Sequence, residues 1–396
     1  GMQTNLDTVE NENADLRGKC DELTDKCHEL ENTVKDLTLK NEYQEWSYSA
    51  DDIPHSYWIS FGFNNQYARN MNSLLDRMKE YTHQLRRGDE NIDIAVEPPG
   101  PSWDEIRTVT VTHDDILLPH WNELVNALAQ YQKFSHRKDY GIDLFRICKV
   151  ELHPKVLDML APVLMTTKVQ YLGLSENAFG SEGISFIADI MRSNPTLEEL
   201  GLHGNPIESV DAMRCLCNST IRNTDPPLKS LSFESTFDSN HPEILPSMLA
   251  SSYHIKELHL HSNDFGSQAV AQISSFLSSN PTCEKLELHD NGLSDDDAAL
   301  LADSLQSNTN LNILHLDDNN IREIGRQAIL QALFNMTSLD SCAASNHTCQ
   351  VIGLTPDISD VNSTEDSVTN RAEKLVTFLS ATNQGFVSTN CVGDVS

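Results

Sequence analysis

The sequence predicts an α/β solenoid, a curved horseshoe with parallel strands inside and helices outside, preceded by an α-helical coiled coil. Three observations predict it. Segments starting at Ile255, Cys283 and Leu311 read IKELHLHSNDF, CEKLELHDNGL and LNILHLDDNNI, each 28 residues after the last. Within each, apolar residues stand at positions 1, 4, 6 and 11 and an Asn at position 9. A strict heptad of apolar residues covers residues 6–41.

In the heptad, the a positions are Leu6, Asn13, Cys20, Cys27, Val34 and Asn41, and the d positions are Val9, Leu16, Leu23, Leu30 and Leu37. Leu at d with an interior Asn at a favours a parallel two-stranded coil, because the paired carboxamides satisfy each other in that register. Glu12 at g would face Arg17 at e of a second copy, and Lys26 would face Glu31. A homodimer through 6–41 is therefore expected, with Asn13, Leu16, Cys20, Leu23, Cys27, Leu30, Val34 and Leu37 at its seam. The rival reading is a single amphipathic helix packed on its own domain.

After residues 1–45, the segment 46–102 is read as an aromatic joint, a second amphipathic helix and a Pro-rich linker. Trp46, Tyr48, Tyr57, Trp58, Phe61 and Phe63 crowd around Asp51-Asp52-Ile53-Pro54, a density that marks a small packed joint. Tyr67, Met71, Leu74, Met78, Tyr81 and Leu85 follow at helical spacing, in a helix that would extend the coil or fold back on it. Asp89 to Ser102 contains Pro98-Pro99-Gly100-Pro101, and its prolines lack the amide protons that helices and ladders need.

The repeat array is placed at 103–350, about nine repeats with the first and last degenerate. Strand starts are expected at 106, 142, 169, 197, 228, 255, 283, 311 and 339. Val150, Thr236 and His347 replace Asn in three of them. The step after Leu197 is 31 residues, so an insertion around Cys217 to Pro227 should bulge as a loop. The apolar positions would build a continuous core. The Asn would bond backbone groups where the chain leaves each strand. Helices such as Gly183–Ile190 and Ala298–Leu305 would pack behind the strands, and Asn194-Pro195-Thr196 and Asn280-Pro281-Thr282 would end them. The tail, 351–396, is polar; Asp357 to Thr369 is expected to be mobile and Arg371 to Thr382 to form a short helix capping the last repeat.

This pattern resembles the ribonuclease-inhibitor-like class of leucine-rich repeats, on the 28-residue period and the helical filler over roughly 106–350. The resemblance implies protein binding by the concave face. It also implies an alternative, a GTPase-activating protein of the Ran type, although the long acidic tail usual in that group is missing and a coiled-coil stem is not typical of it.

Composition narrows the partner. The net charge of −31 argues against nucleic acid, whose phosphates require a basic stripe, and favours a protein with a basic patch. No apolar run is long enough to cross a membrane, the polar N-terminus is unlike a signal peptide, and nine scattered cysteines suit reduced thiols in a cytoplasmic, intracellular protein. Sequons stand at Asn218, Asn335, Asn346 and Asn362. No phosphate-loop, H-E-x-x-H or G-x-S-x-G pattern occurs, so no enzyme and no cofactor are expected.

The reading is a non-enzymatic interaction scaffold or adaptor. Residues between the core positions should face out of the concave sheet: Tyr171, Glu199, His203, Glu234, Glu257, His259, His261, Lys285, Glu287, His289, Ile313, His315 and Asp317. His261 and His289, with Glu287 and Asp317 beside them, could hold a divalent metal, with His261, His289 and Asp317 the weak candidate set, but polar side chains on an exposed face are the preferred reading, so no metal is assigned. Acidic neighbours would favour imidazolium in these histidines.

Overall fold

The protein was analysed as a computed structural model. It describes the chain except residues 1, 91, 99–110, 139, 195, 208, 222–227, 238–241, 365 and 391–396, and except the side chains of 2–12, 220–221 and 382–390.

Among the described residues, nine strands form one parallel sheet in sequential order. They are β1 (Ile92–Val96), β2 (Ile142–Cys148), β3 (Val169–Ser175), β4 (Glu199–Gly201), β5 (Ser230–Ser232), β6 (Glu257–His259), β7 (Lys285–Glu287), β8 (Ile313–His315) and β9 (Gln350–Ile352). Ahead of the sheet lie α1 (Met2–Glu45), α2 (His55–Ser60) and α3 (Asn65–Arg87). The crossovers between strands carry α4 (Leu118–Tyr131), α5 (Pro154–Leu164), α6 (Gly180–Ser193), α7 (Val210–Ile221), α8 (Ile244–Ser251), α9 (Ser267–Ser278), α10 (Asp295–Leu305), then α11 (Glu323–Leu333) with α12 (Leu339–Ala343). The last helix is α13 (Ser367–Asn390). This is the expected α/β solenoid, a leucine-rich-repeat horseshoe.

The register explains the apolar spacing. Leu172, Leu200, Leu231, Leu258, Leu286, Leu314 and Val351 stand opposite one another across β3 to β9. All are buried, each contributing roughly 1.5–3 kcal/mol. Ile187, Ile273, Leu301 and Ile329 of the helices close the core from the other side.

The Asn positions form a hydrogen-bonded ladder. Asn291 Nδ2 donates to the carbonyls of Leu260, Leu288 and His289. Its Oδ1 accepts from Asn263 N at 2.8 Å. Asn319 Oδ1 accepts from Asn291 N in the same way, and Asn205 Oδ1 from Asn177 N. Thr236 keeps the donor half of this role: its Oγ1 donates to the carbonyls of Leu202 and Glu234. Val150 has no such group, and there Val111 pairs with the turn instead.

A second row of buried asparagines runs where helices return to strands. Asn194 donates to the Leu164 and Thr167 carbonyls, Asn308 to Leu277, Asn346 to Leu305 and Asn308, and Asn362 to Asn346 and Cys349. Asn346 and Asn362 are buried with their amides engaged, so these two sequons are closed to glycosylation in the folded chain.

The ends of the array differ from expectation. β1 falls inside the stretch expected as a linker: Ile92, Ile94 and Val96 alternate inward and pair with β2, an alternation that the nearby prolines obscure. The expected first strand at Ile106 and Val109 lies outside the described residues, and Val111 makes a single bridge to Val150. Helix α3 buries Met71, Leu74, Met78 and Leu85 as the array's first helix, against α4 and β1, and its last turns also meet the end of α1, where Tyr43 Oη lies 3.1 Å from His83 Nδ1. Gly88 ends it in a left-handed conformation, with Phe134 so close that a side chain there would clash.

At the other end, Leu339–Ala343 is a helix rather than the last strand, which is β9. The i, i+3 pair Leu339 and Cys342 fits a helix as well as a repeat, and the Ser338 side chain caps it by accepting from Ser341 N. Of the expected bulge, Cys217 to Ile221 continues α7 with Cys217 buried; residues 222–227 lie outside the described residues. The segment expected to be mobile is held by Asn362 and by Asn370, which donates to the His347 and Thr364 carbonyls. In α13, Lys374 is buried and donates to the Leu333 and Asn346 carbonyls.

Helix α1 uses two different faces. Its heptad stripe stays exposed: Leu16, Leu23, Leu30, Val34 and Leu37 range from 56% to 66% accessible. The residues that dock it on the array lie off that stripe. Leu39 is buried, Asp36 pairs with His136 at 2.8 Å and Arg137 at 2.9 Å, and Glu42 pairs with Lys133 at 3.0 Å. The aromatic joint follows as a packed latch. Tyr48 Oη bonds His120 Nδ1 at 2.9 Å, Ser49 donates to the buried Glu123 carboxylate, and Arg86 stacks on Trp46 at 4.3 Å.

Asn263 supports five backbone groups: its amide donates to Phe233, Leu260 and His261, and its Oδ1 accepts from Thr236 and Phe237. Asn263→Ala should lower unfolding stability by roughly 3 kcal/mol, since each orphaned buried group costs about 1–3 kcal/mol. An unchanged denaturation midpoint would show that the ladder is dispensable.

Candidate functional site

The short strands from β4 onward present every second residue to the concave side. Their register aligns Tyr171, Glu199, Ser230, Glu257, Lys285, Ile313 and Gln350 in one outward row. Arg146, Gly173, Gly201, Ser232, His259, Glu287, His315 and Ile352 form the next. Two residues beyond the first seven of these stand Cys148, Ser175, His203, Glu234, His261, His289 and Asp317. The following residue turns left-handed: Lys149, Glu176, Ser235, Ser262, Asp290 and Asp318 have φ between 49° and 59°, and Gly204 has 62°.

The rows meet in a groove of about 770 Å³ lined by Arg146, Tyr171, His203, Glu234, His261 and His289, with Glu176, Asp290 and Asp318 along the turns. The two glycines open a bay for Tyr171: a Cβ at Gly201 would lie 2.7 Å from its hydroxyl, and one at Gly173 2.8 Å from its ring.

A chain of histidine–carboxylate contacts crosses four strands here. His203 Nδ1 lies 3.5 Å from Glu234, and Glu234 3.2 Å from His261 Nε2. His261 Nδ1 lies 3.6 Å from Glu287, which pairs with His259 Nδ1 and Lys285, each at 2.7 Å. The His261 and His289 rings stack with centroids 4.2 Å apart. His315 pairs with Asp317 at 3.5 Å.

Electrostatics in the groove depend on burial as much as on charge. Burial would raise the Glu287 carboxyl, but hydrogen bonds from His259 and Lys285 outweigh it and hold the group well below the usual carboxylate range. Burial pushes the His203 imidazole down, against the pull of Glu234. Burial, then the neighbouring His261, push His289 down. Acidic neighbours favour imidazolium at these two positions, as expected, but burial outweighs them and leaves both rings below their ordinary value.

Thirteen concave residues were expected to face a partner. The groove gathers Tyr171, His203, Glu234, His261 and His289, while His259, Lys285 and Glu287 join through ion pairs. Glu199, Glu257, Ile313, His315 and Asp317 lie on the same face outside the groove lining. Sequence reasoning missed Arg146, Glu176, Asp290 and Asp318. The signal was present: all but Arg146 occupy the residue just before the ladder Asn, which the turn swings toward the groove. Of the two carboxylates expected beside His261 and His289, Glu287 converges with them and Asp317 does not: one ligand atom from each of His261, Glu287 and His289 lies within 4.8 Å of the others. Cysteines supply no chemistry in the core. Burial pushes Cys148 and Cys283 up to about 12 and Cys217 up to about 11.

A leucine-rich repeat family model matches residues 307–330, from just after α10 through the strand β8 into α11. No curated protein matches the chain at a significant level. With nine parallel strands alternating with helices, the match supports a leucine-rich repeat protein, and such repeats generally mediate protein–protein interaction. Among the described residues, no helix is long and apolar enough to cross a membrane.

Titration of His203, followed by NMR, should fall below the ordinary value of about 6.5. Glu234→Gln should lower it further, because the carboxylate stabilises the charged ring. A value at or above 6.5 would mean that the groove is wetter than its packing implies.

Proposed function

We propose that the chain is a non-enzymatic scaffold or adaptor that grips a protein partner in the concave groove. One observation carries this reading: the groove is an open, continuous run of carboxylates and imidazoles across β4 to β7, formed by residues whose side chains contribute nothing to the core. Its carboxylates, with Asp290 and Asp318 at the rim, suit a partner with a basic patch. Neutral His203 and His289 leave that acidic charge largely uncompensated near neutral pH. The repeats match the ribonuclease-inhibitor-like period, and the cysteine pattern suits an intracellular setting.

Capture from cell extract with the full-length chain should retain a basic protein at low salt and lose it as salt rises. The variant Glu234→Lys with Asp290→Lys should lose the same protein at every salt concentration. Equal capture by both forms would move the binding site off the groove.

We further propose that the chain is a homodimer through residues 6–41. The exposed a and d stripe supports this, because docking on the array is done by Asp36, Leu39 and Glu42 and leaves the stripe uncovered. Exposed leucines in this number are costly to leave in water. Sedimentation of the full chain should give twice the monomer mass. Leu23→Asp with Leu30→Asp should give the monomer while the far-ultraviolet dichroism of the array persists. A wild-type monomer at micromolar concentration would overturn the stem.

A further inference from the structure

We propose that His261, Glu287 and His289 form a binding site for a zinc-like divalent cation on the concave face, a property the chain would have without any partner. Three features of the fold converge on it. The parallel register puts β6 and β7 side by side, so His261 and His289 occupy equivalent positions on neighbouring strands and stack at 4.2 Å. Glu287 is two residues before His289 on the same face of β7 and brings a carboxylate between them. One donor atom from each then lies within 4.8 Å of the others.

Two imidazoles and one carboxylate are a donor set that zinc accepts, with the remaining tetrahedral position open. Bonds of about 2.0–2.2 Å place tetrahedral ligands on the order of 3.4 Å apart, so the side chains need to close by little more than 1 Å. They are able to do so because they end on an open face rather than in packed core. His261 Nδ1 is buried and makes no hydrogen bond, so a ring donor is available without breaking a bond.

The surroundings are built as a supporting shell. His259 bonds one Glu287 oxygen and Lys285 the other, which fixes the orientation of the carboxylate, and Glu234 does the same for the far nitrogen of His261. Partners of this kind orient ligands in metal sites and typically change affinity by 10- to 100-fold. The carboxylates also lower the electrostatic cost of a double positive charge on this face.

The test is calorimetric titration of the full-length chain with zinc chloride near neutral pH. It is made in a Cys20→Ser, Cys27→Ser background, because those two thiols are exposed and bind zinc by themselves. One ion per chain is expected. His261→Ala with His289→Ala should weaken binding by at least about tenfold. Glu287→Gln should weaken it with the fold untouched, and His315→Ala, outside the set, should not change it. Cobalt in place of zinc should show d–d absorption without a thiolate charge-transfer band. Absence of saturable binding, equal affinity in the double-histidine variant, or a thiolate band overturns the site. None of these outcomes bears on partner capture, which is read without added metal.

Discussion

The structure depends on a ladder of asparagines where the chain leaves its strands, with Thr236 standing in for one of them. From β4 to β8 the strands are three residues long, too short to hold a sheet in register by themselves. Pairing continues past them, as in Leu260 N to Glu287 O and Leu288 N to His315 O. The chain must then turn sharply, and it does so through a left-handed residue in each repeat, which costs non-glycine residues about 1–2 kcal/mol. At Asn291 the carboxamide offsets that cost by donating to two carbonyls of its own turn and one of the previous repeat, and by accepting from an amide of that repeat. Each turn is thus tied to its neighbour, and the strain is distributed along the array.

That constraint also shapes the groove. The residue two before each Asn is the last to point outward before the turn. It is therefore held at the rim by the ladder itself, and this row supplies His203, Glu234, His261 and His289. The residue immediately before the Asn swings its side chain over the same rim, which is how Glu176, Asp290 and Asp318 reach it. The ladder thus fixes the backbone so firmly that the side chains on its open side can vary in charge without cost to the fold. Function and stability are separated by the direction a side chain points, within a span of three residues.

The interior of the array was legible because its signal is periodic: seven strand starts, from 142 to 311, follow from apolar spacing alone. The ends were not, because a terminal unit lacks a neighbour and uses its own solutions. Ile92, Ile94 and Val96 alternate correctly but sit beside a proline cluster, while Leu339 and Cys342 satisfy a strand spacing that a helix satisfies equally. In the groove, the row of His and acidic residues could be read off the repeat, but the links could not. Which carboxylate turns toward which ring is decided by rotamers, and Glu287 turns to His259, Lys285 and His261. The docked face of α1 was hidden for a related reason: Asp36, Leu39 and Glu42 make a small patch beside a long heptad that dominates the pattern.

The C-terminal end shows how the repeat logic is brought to a close. Inside the array, the carbonyl at the end of three helices is taken by the asparagine of the following return: Leu164 by Asn194, Leu277 by Asn308, Leu305 by Asn346. The carbonyl of Leu333, at the end of α11, has no such successor at the usual distance. Lys374 of α13 reaches it and the Asn346 carbonyl together, and Asn362 takes up the carbonyls of Asn346 and Cys349. Burial pushes the Lys374 ammonium down to about 8, yet two carbonyl acceptors favour the charged donor, so near neutral pH it holds its bonds. A single long side chain on a terminal helix thereby does what a whole further repeat would otherwise do. The polar tail is part of the fold because, without it, the last helix would end on buried carbonyls with nothing to accept from.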